Sequence, residues 1–146
     1  AEEERRAKAR AEYIQNHMEG ILKIEKISLE APILKGVTAG NLRMSVASMD
    51  HTGKMGETGN YVLTGHSNSL NKLSFNRLDE LEKGDMIQVS DGKDIYYYKV
   101  DEKLYVLPEE TWVLEARQDV KEISLITCYP SGVSTHRLVV KGQMLE

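Results

Sequence analysis

The chain holds one cysteine, Cys128, at the end of the apolar run Leu125-Ile126-Thr127-Cys128-Tyr129-Pro130. Nine residues on, Arg137 stands in Ser134-Thr135-His136-Arg137-Leu138-Val139-Val140. A Pro/Gly-containing turn between two β-rich runs predicts strands lying side by side, so the thiol and the guanidinium can face one surface. Upstream, Asn60-Tyr61-Val62-Leu63-Thr64-Gly65-His66-Ser67 reads as another apolar strand, ending on a histidine. A nucleophile, a titratable imidazole and a permanent cation, each at a strand end, are the parts of a thiol acyl-transfer site.

Each part has a plainer reading beside it. An arbitrary lone cysteine is most often a small buried hydrophobe. Cys128, however, stands at a strand-to-turn junction, where a side chain can be exposed. A free thiol, with a pKa of ~8.5, needs a cation or base nearby to attack at neutral pH. Of the four histidines, His17 lies in a charged helical run and His51 in the polar loop Asp50-His51-Thr52-Gly53. His136 neighbours Arg137 on one strand, so alternation turns it to the opposite face. His66 alone ends an apolar strand beside a glycine; on the residues alone, a structural histidine and a catalytic one are about equally supported there. Arg137 is either an ordinary ion-paired strand residue or a set of fixed donors for a substrate carbonyl or a developing oxyanion. Thr135 shares its face by strand alternation.

The blocks GNYVLTGHSNS and SLITCYPSGVSTHRLVVKG resemble those of the sortases, the cysteine transpeptidases of the Gram-positive cell envelope. The likeness extends over about residues 20 to 143 and includes Ile33-Leu34-Lys35-Gly36 and Gly84-Asp85. It implies an eight-stranded β-barrel with Cys128, His66 and Arg137 as catalytic residues. It further implies cleavage of a Leu-Pro-x-Thr-Gly-like sorting signal between Thr and Gly. The thioacyl intermediate would pass to an amine of a peptidoglycan precursor or, in pilus-polymerising relatives, to another protein. A groove for the Leu-Pro portion is expected near Val106, Leu107, Trp112 and Val113, with Thr135 lining it and Thr127 shaping it through backbone and packing. The Cys-Tyr-Pro-x-Gly and Thr-His-Arg pattern is similar to classes D and C. The Asp-Pro-aromatic tripeptide of class C lids is absent, the prolines being Pro32, Pro108 and Pro130. The resemblance therefore points to a lidless enzyme of class D or a near relative, with pilus assembly second. The resemblance also implies an N-terminal membrane anchor ahead of the charged start Ala1-Glu2-Glu3-Glu4, and a place on the outer face of the membrane.

Positioning these groups requires a mainly β domain. Residues 1 to about 22 predict a helix, with Tyr13, Ile14, Met18, Ile21 and Leu22 as a late apolar stripe, so that 1–20 form a helical extension and 21–146 the barrel. Ala31-Pro32-Ile33-Leu34 predicts a short piece near a sheet edge. Met44-Ser45-Val46-Ala47 and Tyr61-Val62-Leu63-Thr64 predict the next strands. Asn71 to Leu81 has helical spacing, closed by Gly84-Asp85. Met86–Val89 and Ile95–Val100 around Asp91-Gly92 form the clearest hairpin. Lys103 to Leu107 extends the sheet, 108–120 is a loop, and Ile123–Thr127 and Arg137–Lys141 close it. About eight short strands suggest a closed or nearly closed barrel.

The bulk properties exclude other classes. The 146 residues suit one domain. With 19 basic and 23 acidic residues and a net charge of -4, the chain lacks the basic surface of a nucleic-acid binder. No run approaches ~20 apolar residues. Gly53-Lys54-Met55-Gly56-Glu57-Thr58-Gly59 lacks the order of a phosphate loop and reads as a turn. One cysteine allows neither an internal disulfide nor zinc spacing. Glu109, Glu110, Glu115 and Asp119 form an exposed acidic loop and only a weak calcium candidate. Two rivals stay open. A hydrolytic cysteine protease of the papain kind would carry its cysteine early, at a helix start. A non-catalytic β-barrel module would bury a structural thiol.

Overall fold

The computed structural model describes residues 1–67, 73–129 and 135–145. Among them, eight strands close into a barrel. They are β1 (Met18–Ile24), β2 (Leu29–Lys35), β3 (Val46–Ser48), β4 (Gly59–Thr64), β5 (Met86–Ser90), β6 (Ile95–Val106), β7 (Lys121–Tyr129) and β8 (His136–Met144). Their order around the barrel is β1-β2-β3-β4-β7-β8-β6-β5. The pairs β2–β3 and β4–β7 are parallel and the others antiparallel. A parallel neighbour needs a long crossover. The crossover from β4 to β7 carries β5 and β6, and its last stretch returns across the outside of the barrel.

Alternate residues of each strand fill the interior: Leu22 and Ile24, Tyr61 and Leu63, Tyr98 and Val100, Ile123 and Leu125, Leu138 and Val140. The β4–β7–β8–β6 half is also apolar on its outer face. There Val62, Ile126, Val139 and Val106 form a second, smaller core with Val113. A strand covered on both faces reads as a continuous apolar run rather than an alternating one, which is why Leu125-Ile126 stand together. A bulge between Val100 and Glu102 of β6 makes this possible. Before it, even-numbered residues point inward. After it, Leu104 and Val106 point outward, because one extra residue reverses the alternation.

The N-terminal helix is shorter than the sequence suggests. Helix α1 spans Glu2–His17 and buries no residue. Met18, Ile21 and Leu22 belong to β1, since burying Leu22 and Ile24 in the barrel outweighs the local helix preference. Gly20 permits that strand to close on β5: a Cβ there would lie 2.3 Å from the Ser90 carbonyl oxygen. Helix α1 meets the barrel side through the Tyr13 hydroxyl, which donates to Asn41 Oδ1 at 2.7 Å. Asn41 sits in α2 (Ala39–Met44), a short helix capped by Thr38 that the sequence did not announce and that takes Met44 out of the expected strand. Ala31–Leu34 is not at an edge, because β2 is paired on both sides. Lys103–Val106 belongs to β6 rather than to a separate strand, and Leu107 follows its end. Of the expected helix over 71–81, Leu78–Glu80 is a 3-10 turn, and Asn71 and Lys72 lie outside the described residues. The Asp91-Gly92 turn is present, with Gly92 at φ 88 and the Asp91 carboxylate accepting from the Lys93 and Asp94 amides.

Leu125, fully buried in the barrel interior, offers a check. Leu125→Ala should lower the unfolding free energy by about 2–5 kcal/mol, the usual cost of emptying a leucine site in a core. Urea denaturation should show this as a lower midpoint at unchanged slope.

Candidate active site

Strand register brings the three chemically interesting residues to one end of neighbouring strands. Cys128 of β7 lies directly opposite Arg137 of β8, and Arg137 lies opposite Val106 of β6. On the other side, the β4–β7 ladder ends with Thr64 opposite Ile126. It is carried further by two hydrogen bonds, Gly65 N–H to the Ile126 carbonyl at 3.1 Å and the Thr127 hydroxyl to the Gly65 carbonyl at 2.7 Å. His66 thereby comes level with Cys128. The result is a row, Cys128–Arg137–Val106, across three adjacent strands, with His66 two residues beyond the end of β4 on the other side of β7. Directly opposed side chains in such a sheet have Cβ atoms about 4.5–5.5 Å apart. Cys128 and Arg137 are half-buried and His66 is exposed. The Arg137 guanidinium also donates to the His136 carbonyl at 3.1 Å.

The other histidines fall elsewhere. His136 opposes Tyr129, on the alternate face from Arg137. His17 stacks on Tyr13 with ring centroids 3.9 Å apart. His51 lies between β3 and β4 in a left-handed conformation, φ 64.

Beside the row runs an apolar cavity of about 140 Å³, lined among others by Val106, Leu107, Val113, Ile126, Arg137 and Val139. Three of the expected groove residues, Val106, Leu107 and Val113, are thus in its wall. Trp112 is on the same 3-10 turn, Thr111–Leu114, but is 52 % exposed and does not line the cavity. Thr135 is exposed just before β8, with its hydroxyl 3.4 Å from the Tyr129 carbonyl and 3.1 Å from the His136 ring. Thr127 is buried, and its hydroxyl is the clamp to Gly65. A smaller hollow of about 50 Å³ touches Cys128 from the barrel mouth, between Phe75, Asn76 and Asp79.

Sequence reading missed a buried polar layer below the apolar one. Asn60, Glu122, Ser124 and Lys141 are all nearly inaccessible. The Lys141 ammonium donates to the Val113 carbonyl at 2.7 Å and to Ser124 Oγ at 2.9 Å, and lies 3.7 Å from a Glu122 oxygen. Ser124 in turn donates to Asn60 Oδ1 at 2.7 Å. Arg117 bridges Glu122 to Asp101. Burial pushes the Lys141 ammonium below its ordinary value, while Glu122 beside it pulls the other way. By alternation these residues would face water. The turn that covers them gave no periodic signal. The acidic loop is not gathered for a metal: Glu110 accepts from the Leu107 amide at 2.7 Å, and among the described residues no three His, Cys, Asp or Glu converge.

The family model for the sortase domain matches residues 22–145. Sortase A of Bacillus anthracis is 35% identical over 126 residues, which cover 86% of this chain and 59% of that protein. Sortase D of Bacillus subtilis (strain 168) is 31% identical over 127 residues, 85% of this chain and 62% of the other. In three dimensions, sortase C1 from Streptococcus agalactiae matches with a TM-score of 0.85 at 30% identity, covering 89% of this chain and 68% of that one. The chain spans about three fifths of the length of these two Bacillus relatives.

The Thr127 clamp can be tested without any substrate. Thr127→Val keeps the shape and removes the donor, leaving the Gly65 carbonyl without it at a cost of about 1–3 kcal/mol. Urea unfolding should show that loss, and amide hydrogen exchange should quicken at Gly65 and His66 more than in the barrel core.

Proposed function

The chain belongs to the sortase family, and from that premise we propose that it is a cysteine transpeptidase using Cys128, His66 and Arg137. The observation that carries this reading is the cross-strand row. Cys128 and Arg137 are cross-strand partners, and the ladder between β4 and β7, extended by the Thr127–Gly65 hydrogen bond, leads to His66 beside them in the strand order, which supports the reading. The partial exposure of Cys128 supports a reactive thiol over a structural one.

The proposed substrate is a Leu-Pro-x-Thr-Gly-like sorting signal on a surface protein. Its apolar part lies in the cavity walled by Val106, Val113 and Ile126, and its Thr carbonyl reaches Cys128. The thiolate attacks that carbon, forming the S–C bond and placing negative charge on the carbonyl oxygen. Arg137 donates to the oxyanion from a permanently charged, planar group. As the tetrahedral intermediate collapses, the C–N bond breaks and His66 protonates the departing Gly amine. The signal remains as a thioester on Cys128. His66, now neutral, takes the proton from an incoming amine, the new amide forms, and the thiolate leaves. A covalent intermediate separates cleavage from ligation, so ping-pong kinetics follow.

We assign the acceptor amine to a peptidoglycan precursor and place the enzyme, membrane-anchored, on the outer face of the cell membrane. With a sortase A 35% and a sortase D 31% identical, the class D-like assignment rests on the Cys128-Tyr129-Pro130 and Thr135-His136-Arg137 pattern. Among the described residues no helix is long and apolar enough to cross a membrane. In this reading α1 is a stalk outside the catalytic barrel.

Incubation with a panel of sorting-signal peptides and amines, followed by mass spectrometry, tests the scheme. A thioacyl adduct on Cys128 and a ligated product are expected, and both should vanish in Cys128→Ala. His66→Ala should slow turnover by ~10²–10⁴-fold, and His136→Ala, on the other face, far less. Equal small effects from both would remove His66 from the mechanism.

Arg137→Lys keeps the charge but loses the planar fork, and a fall in kcat of ~10²–10³-fold is expected, as for loss of one oxyanion donor. Cys128 should still be alkylated by iodoacetamide in that variant. Near-normal kcat would make Arg137 a structural residue.

A further inference from the structure

The groove wall formed by Val113 is not covalently close to any strand. It belongs to a single 3-10 turn, Thr111–Leu114, in the long return between β6 and β7. The last carbonyls of a helical turn have no partner within the turn. Here the Val113 carbonyl accepts from two buried donors, Lys141 Nζ at 2.7 Å and Asn60 Nδ2 at 3.1 Å, and the Leu114 carbonyl accepts from Asn60 Nδ2 at 3.2 Å. Lys141 is 5 % exposed and its counter-ion Glu122 is 1 % exposed. Glu122 is itself shared with Arg117, on the same return segment. Burying such a pair carries a desolvation cost that well-packed apolar residues would avoid. An apolar pair, however, could not hold the Val113 carbonyl.

We infer that Lys141 is a positioning residue for the substrate groove. By holding the Val113 carbonyl, with the Glu122 carboxylate 3.7 Å away as its counter-ion, it fixes how closely the turn lies on β7 and β8. That distance sets the width of the cavity between Val113 and the Val106–Ile126–Val139 floor. Lys141 stands four residues along β8 from Arg137, about 13 Å away at the usual rise, so it acts on binding and not on the reacting atoms. The inference rests on the proposed substrate reading, but its structural half does not. Trp112, the only tryptophan in the chain, lies on the same turn and reports its mobility.

The experiment compares the wild-type protein with Lys141→Met and with Lys141→Met/Glu122→Gln, the second leaving no buried charge unpaired. The readouts are steady-state kinetics with a sorting-signal peptide and acyl-acceptor amine, acrylamide quenching of Trp112, and urea unfolding. The expected result is a KM for the peptide raised about tenfold, equivalent to one charge-assisted hydrogen bond at ~1.4 kcal/mol. The value of kcat should change less than about twofold, the pattern of lost uniform binding. Trp112 should be quenched more readily in the folded variant. An unchanged KM, a fall in kcat at constant KM, or unchanged quenching would overturn the inference. If the double variant does not unfold cooperatively, Lys141→Gln, a shorter and uncharged donor in place of the ammonium that holds the Val113 carbonyl, is judged by the same two readouts. If the wild type turns over no sorting-signal peptide, the proposed function fails, and Trp112 quenching alone decides whether Lys141 holds the turn.

Discussion

The register of β7 against both of its neighbours is the constraint on which the rest depends. Against β8 it sets Cys128 opposite Arg137, and against β4 it brings His66 level with both. Strand side chains alternate with a period of two, so a slip of one residue in either ladder would turn a partner to the opposite face. The core on both sides of the sheet prevents that slip. Moving β7 by one residue would put Ser124 and Glu122 into the barrel interior and expel Ile123 and Leu125. Hydrophobic packing thus fixes a geometry that the polar groups could not hold among themselves.

The same two-faced packing explains the bulge in β6. A regular strand that kept Tyr98 and Val100 inside would also have turned Leu104 and Val106 inward. The extra residue near Asp101 reverses the alternation, so one strand serves the barrel core at one end and the groove at the other. Interior and outer cores are then two faces of the same four strands. A disturbance in one reaches the other through shared backbone.

Much of this was legible in the sequence, for identifiable reasons. The apolar runs around Ile126 and Val139, the turn residues between them, and the alternation setting His136 against Arg137 are local signals, and local signals place strands and faces well. The pairing of β4 with β7 is non-local and parallel, and resemblance to a family, not periodicity, joined His66 to Cys128 in the sequence reading. The end of α1 was misjudged because Met18, Ile21 and Leu22 fit a helical stripe as readily as a strand. Their fate was decided by a barrel wall that the local sequence does not reveal. The Lys141–Glu122–Ser124–Asn60 layer was missed for the converse reason: polar residues on the outer face of a strand look solvated until something irregular covers them. Trp112, an attractive groove residue by type, faces away because the turn presents Val113 to the cavity.

The closure of the barrel also bears on how a peptide could be read. Among the described residues, every strand around the candidate site has hydrogen-bonded neighbours on both sides, so no strand there stands at an open sheet edge for an incoming chain. Recognition by adding a strand to a sheet, which relies on main-chain pairing and tolerates many sequences, is closed off. An extended ligand lying on this face must be identified by the fit of its own side chains and by the few polar groups pointing outward. Any selectivity of this face for an extended ligand then begins with the topology, before any single contact is optimised.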